Sequence, residues 1–242
     1  MTGHSASPLV AGHQPNFFPW FGYFEKMLKS DIFVFSDDVQ YPKQSFVNRV
    51  EIPVNGIPNY LTLPVCKGDD KRIADKRYAK DAAILERLIK TVRINLGGRP
   101  HGRDIELVLD RLVAAFWQHE TVAELNIELI LFIASSLGIN TPTFRGTALG
   151  LDEFRCNQRL IERCRRLGST DYLSGQGADG YQDEAMLKKA GIDLTRVDYS
   201  VGRTILGAKM RYSILLGIAE LGMEYLKSEI CLLRETERRC EP

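Results

Sequence analysis

In the first fifty residues, ionisable side chains recur where short apolar runs stop. His13-Gln14 follows Pro8-Leu-Val-Ala-Gly12, and Asp37-Asp38-Val39-Gln40 follows Ile32-Phe-Val-Phe35. Asn48-Arg49 lies in a stretch of alternating polarity a little further on. An imidazole titrates near neutrality, so His13 suits acid-base work or a phosphate contact. Adjacent carboxylates hold a divalent cation, or accept from a ribose or sugar hydroxyl. The planar fork of Arg49 matches a phosphate or a carboxylate. Each group also has a plainer role: a hydrogen-bonded structural histidine, aspartates capping a turn, an arginine solvated at a sheet edge.

A second stretch of this kind is Asp171-Tyr-Leu-Ser-Gly-Gln-Gly-Ala-Asp-Gly-Tyr181. A strand ending at Tyr172-Leu-Ser-Gly175 runs into three glycines and then a helix, and amides in such a loop cradle phosphate or carboxylate. The Gly-Lys-Ser/Thr ending of a Walker loop is missing, and a tight strand-to-helix turn explains the glycines equally well. His101 and His119 show no ligand spacing and read as structural. The chain contains no Gly-x-Ser-x-Gly elbow, no His-Glu-x-x-His and no zinc-ligand spacing, which leaves covalent hydrolases and zinc enzymes without support.

The elements that must carry these groups follow from the pattern of apolar residues. Pro8 to Gly12 reads as a buried strand, and Gln14 to Phe21 as a loop, because Pro15 and Pro19 forbid regular pairing. Gly22 to Lys29 reads as a helix. Ile32 to Phe35, apolar on both faces, suits a central parallel strand. Both polar clusters then fall at the carboxyl edge of a parallel sheet, where ligands bind in such folds. Phe46–Ile52 and Asn59–Leu63 flank Asn55-Gly56, a hairpin signal, and an antiparallel addition to the sheet is expected there. Helices are expected at about 80–94, 104–118 and 121–137, and strands and helices alternate again to Leu221. The fold class is α/β: a mainly parallel open sheet with an antiparallel hairpin, as one domain over 1–242 with a helical insertion at about 79–138. Phe17, Phe18, Trp20 and Phe21 are expected to form a wall or lid beside the site, with core packing the alternative for the last two. One aspartate of the pair, Asp38, is expected to face the pocket, with Asp37 taking backbone amides in the turn.

Composition narrows the classes. The chain has 242 residues, 44% hydrophobic and 26% charged, with a net charge of +1, so no bulk attraction to nucleic acid is expected. The longest apolar run, Ile127 to Ala134, is broken by Glu128 and is too short for a membrane span. MTGHSASPLVAGHQP lacks the pattern of a signal peptide, and the five cysteines have no Cys-x-x-Cys spacing. A cytoplasmic protein with reduced thiols is expected.

His13-Gln-Pro-Asn-Phe-Phe-Pro-Trp-Phe-Gly-Tyr-Phe24, Asp31-Ile-Phe-Val-Phe-Ser-Asp-Asp-Val-Gln-Tyr41 and Lys43-Gln-Ser-Phe-Val-Asn-Arg49 together resemble the WbqC-like family. Tyr60-Leu-Thr-Leu-Pro-Val65, Tyr172-Leu-Ser-Gly175 and Arg211-Tyr-Ser-Ile-Leu215 resemble later blocks, with Leu216-Gly217 where the family pattern has an acidic residue. The resemblance implies a biosynthetic enzyme of surface-polysaccharide or related pathways. It raises His13, Gln14, Asn16, Asp37, Asp38, Gln40, Asn48 and Arg49 as site residues and assigns them no roles. From their own chemistry and position, His13 and Asp38 are the catalytic candidates, and Gln14, Asn16, Asp37, Gln40, Asn48, Arg49, Tyr172, Ser174 and Gly175 the expected substrate contacts. No tight metal binding is expected in the free protein, because a lone pocket-facing carboxylate is a poor magnesium site. The order of strand, proline loop, helix, strand and acid pair is also similar to the nucleotide-binding half of class I aminoacyl-tRNA synthetases and nucleotidyltransferases. Gly22-Tyr23 stands where their Gly-His would be. The first expectation is a transferase moving an acyl, aminoacyl or glycosyl group onto an amine or hydroxyl, its substrate a small molecule or sugar nucleotide. The alternatives are a nucleotidyl- or adenylyl-transferring enzyme using magnesium with a nucleotide donor, and a non-catalytic binding protein in a biosynthetic complex.

Overall fold

A computed structural model describes residues 7–68, 72–176 and 182–240, with side chains to residue 232. The chain enters through β1 (Leu9–His13), crosses through α1 (Phe21–Leu28) and returns as β2 (Ile32–Phe35). A hairpin, β3 (Arg49–Val54) and β4 (Ile57–Thr62), leads to helices α2 (Ala82–Val92), α3 (Gly102–Gln118) and α4 (Val122–Ser136). The second half runs β5 (Thr143–Arg145), α5 (Cys156–Arg166), β6 (Asp171–Ser174), α6 (Glu184–Lys189), β7 (Asp193–Arg196), α7 (Ser200–Leu206), α8 (Ile214–Leu221) and α9 (Met223–Cys240). Among the described residues no helix is long and apolar enough to cross a membrane.

The five strands of the main sheet stand in the order β5-β2-β1-β6-β7, and every neighbouring pair is parallel. The chain starts in the middle, moves outward through β2 to β5, then comes back to lay β6 on the other side of β1. That reversal makes a topological switch point, and the crevice outside the carboxyl ends of β1 and β6 is where such sheets take ligands. The hairpin is not an extension of this sheet. It forms a separate two-stranded sheet whose strands pair from Arg49–Thr62 to Val54–Ile57, with Asn55 and Gly56 both at positive φ in the turn. An Asn-Gly turn specifies local pairing but says nothing about which larger sheet the hairpin joins.

Alternation along the strands sorts side chains to two faces. Val10, Val34 and Tyr172 pack with Leu160, Ile161 and Cys164 of α5 and Leu187 of α6. Ala11, Phe33, Phe35 and Leu173 face the other way, toward α1 and the helical section, in one cluster that reaches Leu226. The helices begin where capping chemistry allows. Asp81 accepts from the amides of Ala83 and Ile84, and Thr121 with Glu124 forms a capping box at α4. A 3-10 turn, Gly207–Arg211, precedes α8, which Ser213 caps.

The loop between β1 and α1 is strapped from a distance. Asn126 on α4, fully buried, donates to the carbonyls of Pro15 at 2.8 Å and Val47 at 2.7 Å and accepts from Tyr78 Oη at 2.9 Å. Asn126→Leu keeps the volume but leaves two buried carbonyls and a phenol with fewer partners. The expected cost is about 2 kcal/mol. It would show in urea unfolding as a lower midpoint at unchanged slope, and an unchanged midpoint would mean the strap carries no weight.

Candidate functional site

At the switch point the structure opens a cleft of about 920 Å³. It is lined by Gly12, His13 and Gln14 from the end of β1, Ser36 after β2, and Tyr172, Ser174 and Gly175 from β6. Arg159 and Arg163 of α5, Tyr199 and Arg203 around α7, and Met210 and Arg211 ahead of α8 complete the lining. Lys26 of α1 reaches in as well. Among the described residues the wall carries five cations, Lys26, Arg159, Arg163, Arg203 and Arg211, and no aspartate or glutamate.

These cations differ in how far they are neutralised. Arg203 and Arg211 sit at the exposed rim and are paired, with Asp198 and with Glu51 at 2.9 Å. Arg159 Nε is 3.3 Å from the buried Asp38 carboxylate. Arg163 and Lys26 are only 5% and 4% exposed, and neither has a carboxylate partner among the described residues. Arg163 donates through Nη2 to Ser36 Oγ at 2.9 Å, and its Nε is buried with no hydrogen-bond partner. Lys26 donates to the Gly12 carbonyl at 2.9 Å, and its ammonium lies 5.9 Å from the centre of the Tyr172 ring. Burial, reinforced by the Arg163 charge, lowers the Lys26 pKa to about 7.

His13 sits at the end of β1 with its ring 4.9 Å from that of Tyr23. Nδ1 lies 3.1 Å from the Gln14 carbonyl. A carbonyl only accepts, so Nδ1 carries the proton and Nε2 keeps its lone pair. Burial, together with the Lys26 charge, holds the His13 pKa down at about 4, so the ring is neutral at neutral pH.

Of the residues expected from sequence, the cleft brings together His13, Gln14, Tyr172, Ser174 and Gly175. Neither aspartate of the pair lines it. Asp37, fully buried, accepts from Arg145 Nε at 2.6 Å, from the Thr147 amide at 2.9 Å and from Thr147 Oγ1 at 3.0 Å. Asp38 is 3% exposed and packs against Gly146, where an added Cβ would come within 2.1 Å of Oδ1. Asp38 therefore reaches the cleft only through Arg159. Gln40 is exposed and bridges to Arg72, while Asn48 is buried and donates to the Leu63 carbonyl at 3.0 Å. Asn16 is buried in the loop, away from the cleft wall. Arg49 lies on the hairpin with its guanidinium 4.3 Å from the Tyr60 ring centre, and so does not border the same pocket as His13.

The aromatic loop is also placed differently from expectation. Phe17, Phe18 and Phe21 are buried in the core, and only Trp20 lines the cleft, 4.8 Å from the Tyr199 ring. Phe18 turns inward because its φ of 42° reverses the chain and Ser213 Oγ donates to its carbonyl at 2.8 Å.

The arginines of α5 were legible in principle. Arg159 and Arg163 are four apart, beside the buried Leu160 and Cys164, which puts them along one helix face. Lys26 stands in an eight-residue helix that is buried throughout, a place where a charge is costly without purpose. The glycine stretch carries its own sign, since Gly175, Gly177 and Gly180 stand at Gly-x-Gly-x-x-Gly spacing. Gly175 lines the cleft; 177–181 lie outside the described residues. Among the described residues no three His, Cys, Asp or Glu side chains are gathered to hold a metal ion.

No solved structure matches the chain. A protein of Mycobacterium tuberculosis described as uncharacterized protein Rv1507c is 29% identical over 193 residues, covering 78% of this chain and 82% of the relative. The model of the WbqC-like protein family matches residues 14–204, from the end of β1 through α7, which includes most of the cleft wall. The chain belongs to the WbqC-like protein family.

Proposed function

We propose that this protein is a biosynthetic transferase that takes an anionic activated donor, a sugar nucleotide foremost, and moves its acyl, aminoacyl or glycosyl group onto an amine or hydroxyl; the bond between that group and its anionic carrier breaks, the carrier leaves, and the acceptor gives up its proton. The observation that carries this reading is the charge of the cleft: among the described residues the wall at a topological switch point carries five cations and no carboxylate, and two of the cations, Arg163 and Lys26, are buried without a carboxylate partner. Like charges on low-dielectric walls focus a positive field, and a phosphorylated ligand relieves their repulsion. In this reading His13 is the base. Its Nε2 lone pair faces an acceptor hydroxyl or amine, and an anion bound beside it raises its proton affinity as the acceptor is deprotonated. Trp20 and Tyr199 provide an apolar wall for a sugar or base ring.

The test is a melting screen with sugar nucleotides, ATP, coenzyme A thioesters, amino acids and neutral sugars. Mass spectrometry then looks for transfer among the compounds that bind. A ligand at a hundred times its dissociation constant adds about 2.7 kcal/mol. Phosphorylated donors are expected to raise the melting temperature, and the shift should shrink as salt is added. Stabilisation by neutral sugars or amino acids alone would overturn the reading.

A further inference from the structure

Arg163 and Lys26 come to the same backbone position from two sides. Lys26 Nζ binds the Gly12 carbonyl at 2.9 Å. The Arg163 guanidinium occupies the space a side chain at residue 12 would need, since a Cβ added to Gly12 would lie 2.1 Å from Nη1. A side chain at residue 12 would have to displace the arginine from this position. Two buried cations close enough to feel each other's charge, without a carboxylate partner among the described residues, repel each other in a place where charge is poorly solvated. Arg163 also keeps an Nε donor that is buried and unused. Among the described residues the neighbouring acids face other groups. Glu25 takes Lys29 and the Val201 and Gly202 amides, and Asp38 pairs with Arg159 at 3.3 Å.

We infer that the cleft floor at Gly12 is a subsite for the diphosphate of the donor, a group with two negative charges, clamped between the Arg163 guanidinium and the Lys26 ammonium. This rests on the reading of the cleft as a site for an anionic donor and says where the charge is held. The clamp supplies what each cation lacks: an acceptor for the unused guanidinium donor and a counter-charge for the ammonium. His13 of β1, Tyr172 of β6 and Arg163 of α5 face Lys26, with Arg203 of α7 at the same cleft. None of these is an acid that would hold Lys26 charged in the free protein. Binding of a dianion then draws a proton onto Lys26 from solvent, because the lysine pKa of about 7 rises once the negative charge arrives.

Sulfate is the probe, since it is a tetrahedral oxyanion with the two negative charges of the diphosphate and does not itself titrate near neutrality. Its binding is measured by calorimetry from pH 6 to 9, at pH 8 in two buffers of different ionisation enthalpy. Wild type is expected to take up close to one proton per sulfate at pH 8 and to lose about tenfold in affinity per pH unit above 7. Lys26→Met should bind more weakly and lose the pH dependence. Arg163→Met should lose sulfate binding, and Arg163→Lys, which keeps the charge without the fork, should recover only part. Absence of sulfate binding, or an affinity flat between pH 7 and 9 in the wild type, overturns the subsite, and neither outcome depends on a variant folding. A sugar-nucleotide titration runs alongside. If the nucleotide binds and sulfate does not compete with it, the subsite is wrong and the anionic-donor reading stands. If neither binds, both fall.

Discussion

Asp37→Ala is expected to lower stability by about 3 kcal/mol, the largest loss from any single polar side chain considered. The carboxylate is fully buried and takes three donors, all from the segment that follows β5 or from β5 itself. It locks the end of β2 to the end of β5, beyond the short register of Phe33–Thr143 to Phe35–Arg145. Alanine strands the Thr147 amide and hydroxyl. Arg145 suffers less, because its side chain is 38% exposed and water can replace the lost partner. Asp37→Asn should fall between, since the amide oxygen still accepts from Thr147 while its NH₂ opposes the arginine. Urea unfolding of the three proteins gives the order directly. If alanine and asparagine destabilise equally, the charge rather than the hydrogen bonds would be the source. A second consequence reaches the cleft: Ser36, which accepts from Arg163, is the residue before Asp37. Loosening this turn should weaken binding of the anionic substrate as well as the fold.

His13→Gln should reduce turnover by about 10²–10⁴-fold while changing KM little, the range for loss of a positioned base. Glutamine keeps a polar group near the Gln14 carbonyl but offers no basic nitrogen. The pH profile of kcat/KM makes the assignment specific. The acid limb should follow His13 at about 4, where the ring becomes protonated, far below an ordinary histidine. The alkaline limb should follow Lys26 at about 7, where the ammonium that holds the substrate charge is lost. The glutamine variant should keep the alkaline limb and lose the acid one. An acid limb near 6.5 in the wild type would point to a different, solvent-exposed group.

The main elements of this fold were legible because their signals are local. An apolar run of four residues, Ile32 to Phe35, is a buried strand wherever it lies, and β2 has those bounds. Asn55-Gly56 turns the chain between strands for reasons internal to two residues. The same locality puts His13 and Gln14 at a carboxyl edge, because a polar residue after a buried parallel strand has nowhere else to go. The helices α7 and α9 escaped, α7 because its Gly202 and Thr204 weaken the periodic pattern.

What the sequence alone determined, then, was the set of strands, their parallel character and the edge on which polar groups end. Which of those groups share a cavity was decided by the tertiary structure. β6 lies beside β1 only because the chain reverses direction after β5, and that crossover brings Tyr172, Ser174 and Gly175 to His13. The same crossover lays α5 over the sheet and drives Arg163 into the notch at Gly12, 151 positions away in sequence. Arg49, in the same polar stretch of the first fifty residues as His13, is carried off on a hairpin that forms its own two-stranded sheet. The direction of Phe17, Phe18 and Trp20 depended on Asn126 and Ser213, more than a hundred residues downstream, which hold the loop by its carbonyls. A local pattern specifies backbone over the length of one element. The contents of a cleft depend on which elements close together, and long-range packing and hydrogen bonds decide that.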